Sequence, residues 1–157
     1  MILHLVRHPP PEVGTGICYG RSDVAPTLVE AAATRLKSIL PGDAPVFSSP
    51  LTRCRSLAER LHPAPTLDER LMEMHFGEWE MRPWDEVGIA GLDAWAADVA
   101  GYAPPGGESG AMVQARALQF LDSLTVAEAV LITHAGVMRA LLAHWLALPA
   151  SRWLELR

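Results

Sequence analysis

The chain has 157 residues, half of them hydrophobic and 20% charged, which fits a single domain over 1–157 with a core large enough to stand alone. A net charge of −5 and a sequence pI near 5.6 argue against nucleic acid as a partner, since coating a phosphate backbone needs a basic face. Lys37 is the only lysine among 13 basic residues, and the planar forks of the arginines suit phosphate better than point charges do.

In chain order, the β-branched run Ile2 to Val6 predicts a buried strand ending at Arg7-His8. A loop follows that is too rich in breakers for regular structure, with Pro9, Pro10, Pro11, Gly14, Gly16 and Gly20. Thr27 with Glu30 three positions on predicts a capped helix from Leu28 to Leu40, stopped by Pro41-Gly42. Pro45 to Ser48 predicts a second strand. Ser49-Pro50 then predicts a helix start with Pro at the first position and an apolar face of Leu51, Leu57, Ala58 and Leu61. A short strand at Thr66-Leu67, the segment Leu71 to Trp79 and a helix near Leu92 to Val99 come next. After the break at Pro104 to Gly107, the spacing predicts a helix from Ser109 or Gly110 to Leu124, a strand Ala129 to Thr133 ending at His134, and a helix Val137 to Leu146.

Such alternation predicts an α/β fold: a three-layer α/β/α sandwich, its central sheet mainly parallel with helices on both faces. In such sheets ligands bind where the strand order reverses, beyond the carboxyl ends of the strands. Arg7, His8, Arg53 and His134 each stand just past a predicted strand end, so they are expected to converge. Taken alone, a histidine after a strand is ordinarily a loop residue, and arginines on the first turn of a helix are ordinarily a solvated face. Arg53 and Arg55 nevertheless oppose the helix dipole there, which hints at an anion nearby. His4, His62, His75 and His144 are assigned to structure. Trp79, Trp84 and Trp95 are assigned to the core.

Metal chemistry is not expected. His4 and His8 share a strand face but stand about 13 Å apart at roughly 3.3 Å per residue, too far for one ion. No HExxH, CxxC or P-loop pattern is present, so phosphate would have to be held by arginine side chains. Cys18 and Cys54 are too few and too far apart for a disulfide framework, which favours a reducing compartment. The N-terminal run, interrupted by His4, lacks the form of a secretory signal, and Val137 to Leu148 is too short to span a bilayer. A cytoplasmic protein with no membrane partner is the expectation.

Five stretches in order resemble the histidine phosphatase superfamily, the phosphoglycerate mutase-like proteins: LVRHP at 5–9, SSPLTRCRSLAERL at 48–61, LMEMHFGEWE at 71–80, PPGGES at 104–109 and ITHAGVMRALLAHWLAL at 132–148. ICYGRSDVA at 17–25 is most similar to the alpha-ribazole phosphatase branch, enzymes of cobalamin biosynthesis. The resemblance implies a phosphomonoesterase without cofactor, acting on a small-molecule phosphomonoester, with alpha-ribazole 5′-phosphate favoured. It implies His8 as the nucleophile that forms phosphohistidine, Arg7 and Arg53 as phosphate clamps, and His134 as donor to a phosphoryl oxygen. It further implies Glu73 as the acid that protonates the leaving alcohol and then activates water, with Gly20, Arg21 and Ala135 contacting phosphate or substrate. A phosphoglycerate mutase and a phosphate-binding pseudoenzyme remain as alternatives.

Three positions depart from the family pattern. Pro9 replaces the usual glycine after the nucleophile and removes a backbone N–H. Met81 stands where a WEG sequence would place glycine. Family members generally continue past the equivalent of Arg157 into another strand and helix, and Trp153 to Leu156 looks like the start of that strand. An uncovered sheet edge would invite a second copy, which leaves a homodimer open.

Overall fold

A computed structural model of the chain describes residues 1–156. Four strands, β1 (Ile2–Arg7), β2 (Val46–Ser48), β3 (Thr66–Leu67) and β4 (Glu128–Thr133), form one sheet in the order β1-β4-β2-β3, and every pairing is parallel. Insertion of β4 between β1 and β2 is the reversal of strand order that opens a crevice at the carboxyl ends. The register puts Arg7 beside Thr133 and Ser48 beside Ile132, so residues 8, 49 and 134 leave the sheet side by side.

The continuous apolar run of β4 is explained by burial on both faces. Val130 and Ile132 pack with Val6 and Val46 under α1 (Val29–Lys37) and α2 (Thr52–Leu61), through Ala33, Cys54, Leu57 and Ala58. Ala129 and Leu131 face the other way, into the larger cluster of Val113, Ala117 and Phe120 on α5 (Gly110–Asp122) and Val137 and Leu141 on α6 (Ala135–Trp145). These are the three expected layers. Each fully buried leucine or valine contributes about 1.5–3 kcal/mol, so the sheet is a rigid base for whatever its strand ends carry. Two shorter helices, α3 (Trp84–Val87) and α4 (Ile89–Ala97), lie in the long connection before α5.

Several local expectations are corrected. Thr27 does not cap α1, because its hydroxyl and its N–H both donate to the Pro10 carbonyl; Leu28 takes the cap position with φ 56°, and the helix starts at Val29. Nor does Pro50 open α2. Ser49 Oγ accepts from the Leu51 N–H, and the helix begins at Thr52, whose N–H and hydroxyl both donate to Asp23. Asp23 is thus the anion at the basic first turn of α2. Trp153 to Leu156 is not the start of a strand. Ala150–Glu155 forms a 3₁₀ helix, and Trp153 is buried against the α5/α6 cluster.

No helix among the described residues is long and apolar enough to cross a membrane. His4 Nε2 pairs with Glu128 Oε1 at 2.8 Å, His62 Nδ1 accepts from the Ala64 N–H, and His75 Nδ1 accepts from the Gly77 N–H, so these histidines serve the fold.

Candidate active site

The site begins with the sheet ladder. The His8 N–H donates to the Thr133 carbonyl at 3.1 Å, which carries β1 pairing one residue past its end and sets His8 against the start of α6. Its ring lies 5.1 Å from that of His134, centroid to centroid. Nδ1 of His8 is 2.7 Å from the Pro9 carbonyl. A carbonyl can only accept, so Nδ1 carries the hydrogen and Nε2 keeps a free lone pair. Pro9 is therefore compatible with an oriented His8: the residue after the histidine supplies its carbonyl here, and that group proline retains. Burial lowers the His8 pKa to about 4, with the Pro9 hydrogen bond opposing and the Arg53 and Arg7 charges adding to the fall. The ring is neutral near pH 7.

His134 is fully buried beneath His8. Burial first, then Arg53 and His8, hold its pKa well below the ordinary histidine value, so it too is neutral. Nε2 lies 2.9 Å from Ser49 Oγ and 3.4 Å from Cys54 Sγ. Burial pushes the Cys54 thiol far up, against the pull of Arg53, so Cys54 is a neutral neighbour and no thiolate. Arg53 is fully buried as well. Its Nη1 and Nη2 donate to the carbonyls of Ser22 and Gly20, and its buried Nε has no partner among the described residues. Arg53 and His134 thus form a layer behind the cavity and do not line it, while Arg7, His8, Glu73 and Ala135 do.

Glu73 reaches this floor from the segment after β3. Thr133 Oγ1 donates to the Leu71 carbonyl, and Arg116 on α5 donates to the carbonyls of Arg70 and Glu73, which pins the segment to the sheet and to α5. The carboxylate accepts from the N–H groups of Met74 at 2.9 Å and Gly136 at 3.1 Å. A Cβ at Gly136 would push the Glu73 carboxylate out of this position.

Gly20 and Arg21 serve a different purpose from the expected substrate contact, and neither lines the cavity. Glu80 accepts from the N–H groups of Gly20, Arg21, Ser22 and Phe76 and from the Ser22 hydroxyl. Burial pushes its carboxyl up, but these donors together outweigh that and hold it below the ordinary value. The loop so fixed offers the two carbonyls that orient Arg53. A Cβ on Gly20 would strike the Met74 carbonyl, so its glycine answers to packing. Arg21 pairs with Glu108, which also accepts from Arg116 and from the His75 N–H. Sequence reasoning misses Glu80 and Glu108 as working residues; carboxylates set within glycine-rich blocks are the available signal.

The cavity above the floor measures about 420 Å³. Ile17, Tyr19, Phe76, Trp84, Leu92 and Trp95 form its wall, with Arg139 of α6 also on its lining. Trp79 is buried as assigned, Trp95 packs against the α5/α6 cluster and also lines the cavity, and Trp84 departs from the core assignment by facing the cavity; Trp84 and Trp95 both meet Phe76 edge-on. Among the described residues no three His, Cys, Asp or Glu side chains come together as a metal site would require. The arrangement offers a neutral imidazole with a free lone pair, a carboxyl across from it, and arginine charge around and behind both.

Known proteins share this fold. A glucosyl-3-phosphoglycerate phosphatase of Mycolicibacterium vanbaalenii is 33% identical over 111 residues, covering 62% of this chain and 49% of the relative. The chain spans about half the length of the curated relatives it matches. The solved mycobacterial glucosyl-3-phosphoglycerate phosphatase superposes with a TM-score of 0.85 at 28% identity, covering 98% of this chain and 82% of that one. A Thermus thermophilus structure described as phosphoglycerate mutase gives 0.78 at 42% identity over 89% of this chain and 81% of its own. The pattern of the histidine phosphatase superfamily (branch 1) matches residues 3–157, and the chain belongs to that family.

Proposed function

We propose that this chain is a phosphomonoester hydrolase that works through a phosphohistidine on His8. The observation that carries the reading is the His8 hydrogen bond to the Pro9 carbonyl, which orients the ring with Nε2 free inside a cation-lined cavity, while burial keeps that ring neutral. Nε2 attacks phosphorus and the bond from phosphorus to the alcohol oxygen breaks. Glu73, entering as the acid, gives its proton to that oxygen. In the second half the Glu73 carboxylate takes a proton from water, the hydroxide oxygen bonds to phosphorus, the N–P bond breaks, and phosphate leaves with both side chains restored. Arg7 on the cavity wall and Arg53 behind it offset the phosphoryl charge, and the N-terminus of α6 at Ala135 adds its dipole.

For the alcohol, the named relatives support a glucosyl-3-phosphoglycerate-type ester. Alpha-ribazole 5′-phosphate rests on the stretch 17–25, of which only Ile17 and Tyr19 line the cavity while Gly20, Arg21 and Ser22 are tied to Glu80. The Thermus likeness keeps phosphoglycerate mutase as a second reading. The deciding experiment measures phosphate release in chelator from both esters and from 3-phosphoglycerate, for wild type and His8→Ala. Release by the wild type alone supports the hydrolase; interconversion of phosphoglycerates primed by a bisphosphate, without net release, supports the mutase. No turnover of any ester would overturn both.

A further inference from the structure

Ser49 is fully buried beside His134, yet the proposed chemistry does not use it. Its N–H donates to the Ile132 carbonyl at 3.0 Å, which carries the β2 ladder one residue past Ser48, so the sheet fixes where the hydroxyl stands. Oγ accepts from the Leu51 N–H at 3.3 Å and lies 2.9 Å from Nε2 of His134. Among the described residues the other side chain within hydrogen-bond reach of the ring is Cys54, with Sγ 3.4 Å from Nε2 and 3.9 Å from Nδ1. Its thiol donates to the Thr133 carbonyl at 3.5 Å.

Counting hydrogens decides between the two tautomers of the neutral ring. With the hydrogen on Nε2, that N–H and the Leu51 N–H would fill both lone pairs of Ser49 Oγ. The hydroxyl hydrogen would then have only the Cys54 sulfur, a weak acceptor, and Nδ1 would hold a lone pair with no donor. With the hydrogen on Nδ1, the Ser49 O–H donates to Nε2, and the Nδ1–H alone is left short of a partner. Buried polar groups without partners are costly, so the second arrangement wins. It leaves one N–H donor in the layer directly behind His8, whose ring centroid is 5.1 Å away.

We propose, on the basis of the phosphatase reading above, that Ser49 is a positioning residue that sets the tautomer of His134: its hydroxyl donates to Nε2 and so keeps a hydrogen on Nδ1, to be given as a hydrogen bond to a phosphoryl oxygen. Both histidines then carry their hydrogen on Nδ1, with opposite effect. In His8 the Pro9 carbonyl takes that hydrogen and leaves Nε2 to attack; in His134 the serine takes up Nε2 and leaves the hydrogen to donate. A preset donor stabilises the charge that grows on the phosphoryl oxygens without the ring having to become an imidazolium first.

The test reads the ring directly. Long-range proton–nitrogen NMR spectra distinguish a protonated ring nitrogen from one with a lone pair, and His134→Gln assigns the signals by deleting them. Wild type, Ser49→Ala and Ser49→Thr are compared, alongside melting temperatures and kcat and KM for 4-nitrophenyl phosphate. The wild type should show the hydrogen on Nδ1 and the lone pair on Nε2. Ser49→Ala should move the signals toward the other tautomer and lower kcat about tenfold or more, with KM changed by less than about threefold, because the lost donor acts on charge that develops in the transition state. Ser49→Thr keeps the hydroxyl and should keep both the tautomer and most of kcat. A hydrogen on Nε2 in the wild type, ring signals or kcat unchanged in Ser49→Ala, or an equal loss of kcat in Ser49→Thr with its tautomer kept would each overturn the proposal. The wild-type spectrum needs no variant to fold and no turnover. Absence of turnover with a tautomer that follows Ser49 would therefore sink the phosphatase reading and leave the tautomer assignment standing.

Discussion

The floor and the wall of the cavity are built in opposite ways. The floor, His8 with His134 and Ser49 beneath it, extends the ladders of buried parallel strands, and its positions follow from register alone. The wall comes from loops and short helices over 17–19 and 84–95, joined by backbone hydrogen bonds of Cys18 with Met81 and Arg82 and of Trp84 with Gly16. Attack on phosphorus tolerates little misplacement, so it sits on the sheet; substrate choice can vary without disturbing that geometry.

The largest effect expected on the floor short of losing the nucleophile is that of Glu73→Gln. It keeps the shape but has no proton to give and can accept from only one of the Met74 and Gly136 N–H groups, and kcat for esters of poor leaving groups should fall about 100- to 10,000-fold. An aryl phosphate, whose leaving group needs less help, should lose less. Equal loss on both would move Glu73 from proton transfer to positioning.

Glu80→Ala breaks the tie between floor and wall. Five donors lose their acceptor, and leaving several of them unpaired costs on the order of 3 kcal/mol, read as a lower midpoint in chemical denaturation. The carbonyls of Gly20 and Ser22 would then no longer hold Arg53, so kcat should fall in the protein that remains folded. Unchanged kcat would separate the loop from the site.

Acid should weaken both regions in sequence. His8 is held at about 4 against an unfolded value near 6.5, so the unfolded chain binds the extra proton between those pH values. Its contribution, on the order of 3 kcal/mol, is fully present above pH 6.5 and drains away as pH falls toward 4. His134, also lowered, acts in the same direction. Glu80 and Glu108, lowered too, add their loss below the ordinary glutamate range. Stability measured from about pH 8 down to pH 4 should decline from about pH 6.5; a flat profile across that window would contradict a neutral, buried histidine pair.

The smallest effect belongs to the wall. Met81 takes φ 62°, a backbone region glycine enters freely, because its N–H must reach the Cys18 carbonyl. Met81→Gly should stabilise the protein by about 1 kcal/mol or less, strain relief being partly cancelled by unfolded-chain entropy. Destabilisation would mean the Met81 side chain packs more productively than its exposure suggests.

The same contrast decides what can be seen in the sequence. The floor is legible because strand runs ending in histidine declare their own position, and the alternation of elements implies a parallel sheet. Thr27 shows how a sound local signal fails: the capping pattern is there, but Pro10, 17 residues away, takes its hydroxyl. Glu80 and Trp95 escape for a similar reason. Their roles depend on segments 58 to 60 residues away for Glu80, and on Phe76 and the cavity beside it for Trp95 of α4, which local periodicity does not encode. The glycines become intelligible only once the packing is known. Gly77 and Gly107 lie where the block at 71–80 meets the block at 104–109, backbone on backbone, with no room for a side chain.

The central claim is a covalent phosphohistidine on His8, and trapping it is the most direct test. Wild type and His8→Ala are mixed with substrate, quenched in alkali to protect the N–P bond, and digested for mass spectrometry. The account predicts a phosphoryl group on His8 that is stable in base and lost in acid, absent from His8→Ala, which should also release no phosphate. Wild-type turnover by His8→Ala, or a phosphoryl group trapped on another residue, would contradict it.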